Sequence, residues 1–167
     1  PVFKQLHLNI WTSDYTAWFP SSVFEANYID EPDLSKCIAY GGLDVASTSD
    51  FTSLALLFDM GNGDMYLKNW YWLPSEMMDK RVKRMVGIAK WTQKGWIRRT
   101  EGNVMDDRAI AEEIMQIVRR YRVDSIAYDK ALAHSGIAQD LMREGVDMHP
   151  MSQAIMTMSE PTKSYEK

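Results

Sequence analysis

The chain has 167 residues, 46% hydrophobic and 25% charged, a composition that suits one ordinary globular core. No apolar run approaches the roughly 20 residues of a membrane helix, and the opening PVFKQLHLNIW lacks the basic-then-apolar order of a secretory signal, so a cytosolic setting is expected. The one cysteine, Cys37, excludes an internal disulfide, and no Cys/His cluster has zinc spacing; the thiol reads as a small buried hydrophobe.

The net charge of -4 conceals an uneven distribution. Residues 80–99 hold eight Lys/Arg and no Asp/Glu, leaving eleven basic against twenty-three acidic residues elsewhere. An acidic protein with one basic stretch suits a localised polyanion contact better than a nucleic-acid coat.

Residues 1–36 mix aromatic and polar side chains (Trp11, Tyr15, Trp18, Phe19) and close on the acidic, proline-broken Asp30-Glu31-Pro32-Asp33. They read as a linker with one short helix near 20–28, started by Pro20 and Ser21. Lys36 to Val45 is small and apolar and ends in an acid, as a buried central strand would. Phe51 to Phe58 is a second strand, Gly61-Asn62-Gly63-Asp64 a hairpin turn, and Met65 to Leu73 a third strand, giving a meander.

After Pro74 the pattern becomes helical from Ser75 to Gly95, with Met78, Val82, Met85 and Ile88 at helical spacing. Asp106 or Asp107 caps a further helix whose stripe is Ile110, Ile114, Ile117, Val118 and Tyr121. Val123 to Asp129 is a fourth strand, 135–144 a short helix stopped by Gly145, and Val146 to Met151 a fifth strand. The order βββ-α-β-α-β predicts an α/β fold with a mixed central sheet flanked by helices.

Two apolar strands deliver a carboxylate at their C-terminal ends, Asp44 and Asp129. If these strands are parallel neighbours, both acids emerge at one sheet edge, where α/β proteins place their sites. Adjacent like charges need a cation, and Mg²⁺ or Mn²⁺ shared by two or three carboxylates supports phosphodiester cleavage. The competing reading is that each Asp merely caps the turn that follows. Asp50, six residues after Asp44, is either a further ligand folded back across the turn or an Asx-turn residue.

The basic stretch Lys80, Arg81, Lys83, Arg84, Lys90, Lys94, Arg98 and Arg99, interleaved with Trp91 and Trp96, is either a DNA-binding track or a solvated helix face. Its lack of acids favours the track, since solvated faces mix signs. No phosphate-binding loop, H-E-x-x-H or G-x-S-x-G motif is present, and His7, His134 and His149 are isolated from one another.

The segment Gly42-Leu43-Asp44-Val45-Ala46-Ser47-Thr48-Ser49-Asp50-Phe51-Thr52 resembles the first nuclease motif of tailed-bacteriophage terminase large subunits. Further pieces agree in order: Leu6 to Trp11, Gly102 to Asp106, Ile126 to Asp129, and Met158-Ser159-Glu160-Pro161-Thr162-Lys163. The resemblance implies an RNase H-like (resolvase-like) nuclease domain over 37–167, with a basic helical insertion at 75–99, that cuts concatemeric double-stranded viral DNA with two Mg²⁺ or Mn²⁺ ions. Asp44 resembles the acid that bridges both metals, Asp129 the fourth-strand acid, and Asp50 an additional acid found in some members.

It further implies that residues 1–36 join a missing N-terminal ATPase, and that the C-terminus is truncated before a third acid beyond Lys167. The implied partners are the portal protein and the terminase small subunit, with no membrane, in the host bacterial cytoplasm and transiently on the procapsid. Two other classes stay open: a DNA- or portal-binding module that does not cut, and a resolvase- or transposase-like nuclease on the same fold.

Overall fold

The computed structural model describes residues 19–46, 50–82, 86–132 and 135–165, with 81, 82, 86, 132 and 165 described by backbone alone. The chain divides into two compact units, Pro1–Asp33 and Leu34–Lys167. In the first, helix α1 (Ser21–Ala26) follows Pro20, whose extended backbone (φ -61°, ψ 147°) sets the entry. The Asn27 side chain closes the helix by donating to the Val23 carbonyl at 2.8 Å.

The second unit is built on a meander of three antiparallel strands, β1 (Ile38–Asp44), β2 (Thr52–Asp59) and β3 (Met65–Pro74). The β2–β3 turn forms because Gly61 and Gly63 adopt positive φ (74° and 92°), while Asp59 and Asn62 side chains accept from the Gly61 and Asp64 amides. Then come α2 (Ser75–Val82), α3 (Val86–Gln93), β4 (Ile97–Thr100), α4 (Asp107–Arg120) and β5 (Arg122–Asp129). A single 3₁₀ turn (Lys130–Leu132), α5 (Gly136–Arg143), β6 (Met148–Met151) and α6 (Ile155–Tyr165) complete the unit.

The sheet order is β4-β3-β2-β1-β5-β6, with β3–β4, β1–β5 and β5–β6 parallel. The expected mixed sheet with flanking helices is therefore present, with two additions. Strand β4 occupies residues expected to close a basic helical insertion over 75–99, so Arg98 and Arg99 are strand residues. The helix ends because Gly95 takes φ 72°, and burial of Ile97 and Thr100 drives the next four residues onto the edge of β3. The helical part comprises α2 and α3, with residues 83–85, and so Lys83 and Arg84, outside the described residues. The second addition, α6, has Pro161 in its interior.

Alternation along the strands divides the side chains between two faces. One face carries Leu43, Leu54, Leu56, Phe58, Trp70, Trp72, Ile126 and Tyr128 into the main core, where they meet Ile110, Ile114 and Ile117 of α4 and Ile137 and Leu141 of α5. Each such aliphatic side chain removed from water contributes about 1.5–3 kcal/mol. Cys37 is buried in this core, with its thiol 3.8 Å from the Met60 sulfur, as a small hydrophobe rather than an accessible nucleophile. On the other face a smaller core of Leu73, Met78, Ile88 and Ile97 seats α2 and α3 over β3 and β4. Further along that face Tyr40 lies opposite Leu57, and Leu57 opposite Leu67, all three exposed.

A candidate metal centre at the sheet edge

The register of β1 against β5 decides where the two acids fall. Leu43 pairs with Tyr128, both buried, and each strand ends one residue later, at Asp44 and Asp129. Parallel strands lie about 4.8 Å apart, so the two carboxylates stand abreast at the same edge and on the same face. An irregularity between Ala39 and Tyr40 sets this alignment, because Ala39 pairs with Val123 but Tyr40 with Ser125.

The two acids differ in how they are held. Asp129 accepts the Ala131 amide at 2.9 Å through Oδ1, which caps the 3₁₀ turn and fixes the carboxylate's direction. The capping and site readings of Asp129 thus coexist, since Oδ2 is a second acceptor. Asp44 is exposed, and neither of its oxygens is tied to another described residue. Two residues on, the Ala46 amide donates to the hydroxyl of the buried Thr52 at 3.1 Å.

Asp50 is exposed and accepts the Phe51 amide at 2.9 Å. It sits three residues ahead of Ser53, the partner of Asp44, and is not gathered with the two strand-end acids. Among the described residues no three His, Cys, Asp or Glu side chains come close enough to hold a metal together. The donors that do stand abreast are hard carboxylate oxygens, the type that Mg²⁺ and Mn²⁺ accept. His149 lies instead 3.2 Å from Asp147 on the surface, and His134 falls outside the described residues.

The basic stretch separates into two groups. Lys80, Lys90 and Lys94 are exposed, and Arg81 lies on α2. Arg98 faces the main-core side, where it pairs with Glu113 of α4 and lies over the Trp72 ring, while Trp72 donates to the same carboxylate at 3.0 Å. Arg99 turns to the opposite side and donates to the Met78 sulfur and, at 3.4 Å, to Asp79. The two arginines therefore clamp β4 to the helices on either side of the sheet.

Sequence reasoning missed the apolar groove beside this stretch, about 320 Å³ in volume and lined by Phe51, Tyr71, Trp91, Trp96 and Ile97. The signal available in the sequence was the interleaving of tryptophans with lysines; what it lacked was β4, which brings Trp96 and Ile97 against β3.

The six-stranded mixed sheet flanked by helices is an RNase H-like fold, and a solved structure shares it. The crystal structure of the HK97 bacteriophage large terminase superposes with a TM-score of 0.80 at 22% identity, over 99% of this chain and 35% of that one. The whole chain, residues 1–167, matches the terminase large subunit endonuclease domain, and it belongs to that family. The large terminase subunit of Enterobacteria phage HK97 is 25% identical over 130 residues, covering 77% of this chain. Protein YmfN of Escherichia coli K12 is 27% identical, covering 99% of this chain. The chain spans 26% and 39% of the lengths of these two relatives. Among the described residues no helix is long and apolar enough to cross a membrane.

Proposed function

We propose that this chain is the endonuclease part of a phage DNA-packaging terminase, cutting concatemeric double-stranded DNA by two-metal phosphodiester hydrolysis at Asp44 and Asp129. The observation that carries the reading is the pairing of Leu43 with Tyr128, which stands the two strand-end acids side by side. Asp44, with its oxygens untied to any described residue, and Asp129, held in direction by Ala131, are the residues that would hold the metal. Mg²⁺ or Mn²⁺ held there would supply Lewis acidity toward the scissile phosphate. Asp50, at the rim, is proposed as an accessory acid.

Lys80, Arg81, Lys83, Arg84, Lys90 and Lys94 are proposed to attract the phosphate backbone, with Arg98 and Arg99 holding the strand beneath them. Residues 1–36 are proposed as the linker to an ATPase domain and 37–167 as the nuclease domain. The portal protein and terminase small subunit are the proposed partners, on the procapsid in the host cytoplasm.

A calorimetric Mn²⁺ titration of this chain and of Asp44→Asn tests the assignment. The expected result is binding that disappears in the variant while the thermal unfolding transition is retained. In a version extended to the length of its relatives, Mn²⁺-dependent cleavage should fall at least a hundredfold in Asp44→Asn; undiminished cleavage would sink the assignment.

One observation favours a second reading, a module that holds DNA or the portal without cutting: the stretch 80–99 carries eight Lys/Arg and no Asp/Glu. That reading requires DNA affinity that weakens with salt and is indifferent to divalent metal.

A further inference from the structure

The apolar groove stands in line with the candidate acids. Asp44 pairs with Ser53, Ser53 with Tyr71, and Tyr71 with Ile97, so one row crosses the sheet from the metal site into the groove. Directly opposed residues share a face, which places the Tyr71 ring on the same side as the carboxylates, two strand spacings or about 10 Å from Asp44. The walls are aromatic and open: Tyr71 is 37% exposed, Trp91 38% and Trp96 50%. Phe51 meets Tyr71 edge to face at 6.2 Å.

Two features show that the rings are set in place. Gly87 lies one turn before Trp91 on α3, and a Cβ there would come within 2.7 Å of the indole, so the absence of a side chain is what seats the ring. Lys94 reaches over the Trp96 ring, its ammonium 4.6 Å from the centroid. Lys90 lies one turn before Lys94, which donates its amide to the Lys90 carbonyl. The groove thus combines apolar ring faces with positive charge at its rim, in a stretch of twenty residues without a carboxylate.

We infer that this groove takes unstacked nucleobases of a single-stranded stretch of nucleic acid adjoining the cut. The choice of a nucleic acid as ligand rests on the nuclease reading; the choice of an unpaired base rests on the groove. In a duplex the flat faces of bases are covered by their neighbours, so only an unstacked base offers a face to Trp91 or Trp96. Rings on the protein with lysines beside them match a base with its flanking phosphates. An unstacked strand spans more per nucleotide than the about 3.4 Å of a stacked one, so a phosphate at Asp44 puts a base no more than roughly three nucleotides along over Tyr71. The site would therefore favour DNA frayed or melted near the cleaved bond.

Titration of the chain with a fluorescein-labelled dT₁₂ strand and with a 12-base-pair duplex, both in EDTA, tests this through anisotropy and tryptophan quenching. The expected result is quenching by dT₁₂, with Trp91→Ala and Trp96→Ala each weakening its binding about tenfold and duplex binding changing less than about twofold. Trp96→Phe should restore most of the affinity. Gly87→Ala should weaken dT₁₂ binding with both indoles still present, and retained thermal unfolding transitions identify a loss that is not misfolding. Lys94→Gln should lower the salt dependence by about one counterion without abolishing the quench. Unchanged dT₁₂ binding in both tryptophan variants, or equal losses for strand and duplex, overturns the inference. Asp44→Asn should leave dT₁₂ binding intact, so a failed metal titration and a failed stacking titration are separable results.

Discussion

Two buried threonines show how one hydroxyl can act in opposite senses within a single sheet. Thr52 is fully buried, and its oxygen satisfies the Ala46 amide where the chain leaves the candidate metal site. Thr100, at the end of β4, buries a hydroxyl that has no hydrogen-bond partner among the described residues. Removing a satisfied acceptor strands a donor and costs about 1–3 kcal/mol, whereas removing an unsatisfied one eliminates a desolvation penalty. Thr52→Val should therefore lower the urea midpoint, and Thr100→Val should leave it unchanged or raise it by the equivalent of about 1 kcal/mol. Equal and same-sign shifts in the two variants would contradict this account. Gly41 makes a related point about space, because a Cβ there would come within 2.6 Å of Ile126, directly across on β5.

Among the elements, α4 depends most visibly on the residue just before it. Asp106 accepts the Ala109 amide at 3.0 Å as the N-cap, and the helix then buries Ile110, Ala111, Ile114 and Ile117. Asp106→Ala should cost about 1 kcal/mol, seen as a lower midpoint in chemical denaturation with an unchanged slope. The stripe of this helix is legible in the sequence because its buried face repeats at one period over three turns, while the cap, open there between Asp106 and Asp107, falls to Asp106. The meander and the strand ending at Asp129 were legible for a similar reason, and so was the placement of the two acids once β1 and β5 are taken as neighbours. Strand β4 was not, since four residues are too few for a period to show and Arg98 and Arg99 read as a solvated or DNA-facing helix. Their guanidinium groups are instead tied to Glu113 and Asp79, contacts that only tertiary pairing creates. Helix α6 escaped because Pro161 reads as a break. It lies inside the helix, with Thr162 donating to the Met158 carbonyl at 2.7 Å.

At the scale of the whole molecule, one charge among the described residues that bears on stability sits where α4 meets α5. Burial holds the Asp107 carboxyl above the ordinary aspartate range; the Gly136 amide lowers it in part, and the Asp106 and Asp140 charges add to the rise. A carboxyl with a raised folded-state pKa favours folding most when protonated. Its contribution is full below the unfolded value near about 3.9 and is lost as pH climbs through the folded value. Relative to Asp107→Asn, the parent chain should lose ground as pH rises above the unfolded value, measured as the difference in unfolding free energy at each pH. A difference that is flat or of opposite sign would refute the assignment.

The alignment of Asp44 with Asp129 also has a kinetic side. The hairpins of the meander join residues close in sequence, but the two acids come from strands 85 positions apart. Non-local pairing closes slowly, because chain entropy is lost before contacts repay it. The meander can assemble early without either a site or a main core, and the pair of acids exists only after β5 has threaded back beside β1. The divalent-ion affinity proposed for these acids would therefore emerge late in folding, as a reporter of the final long-range step rather than of collapse.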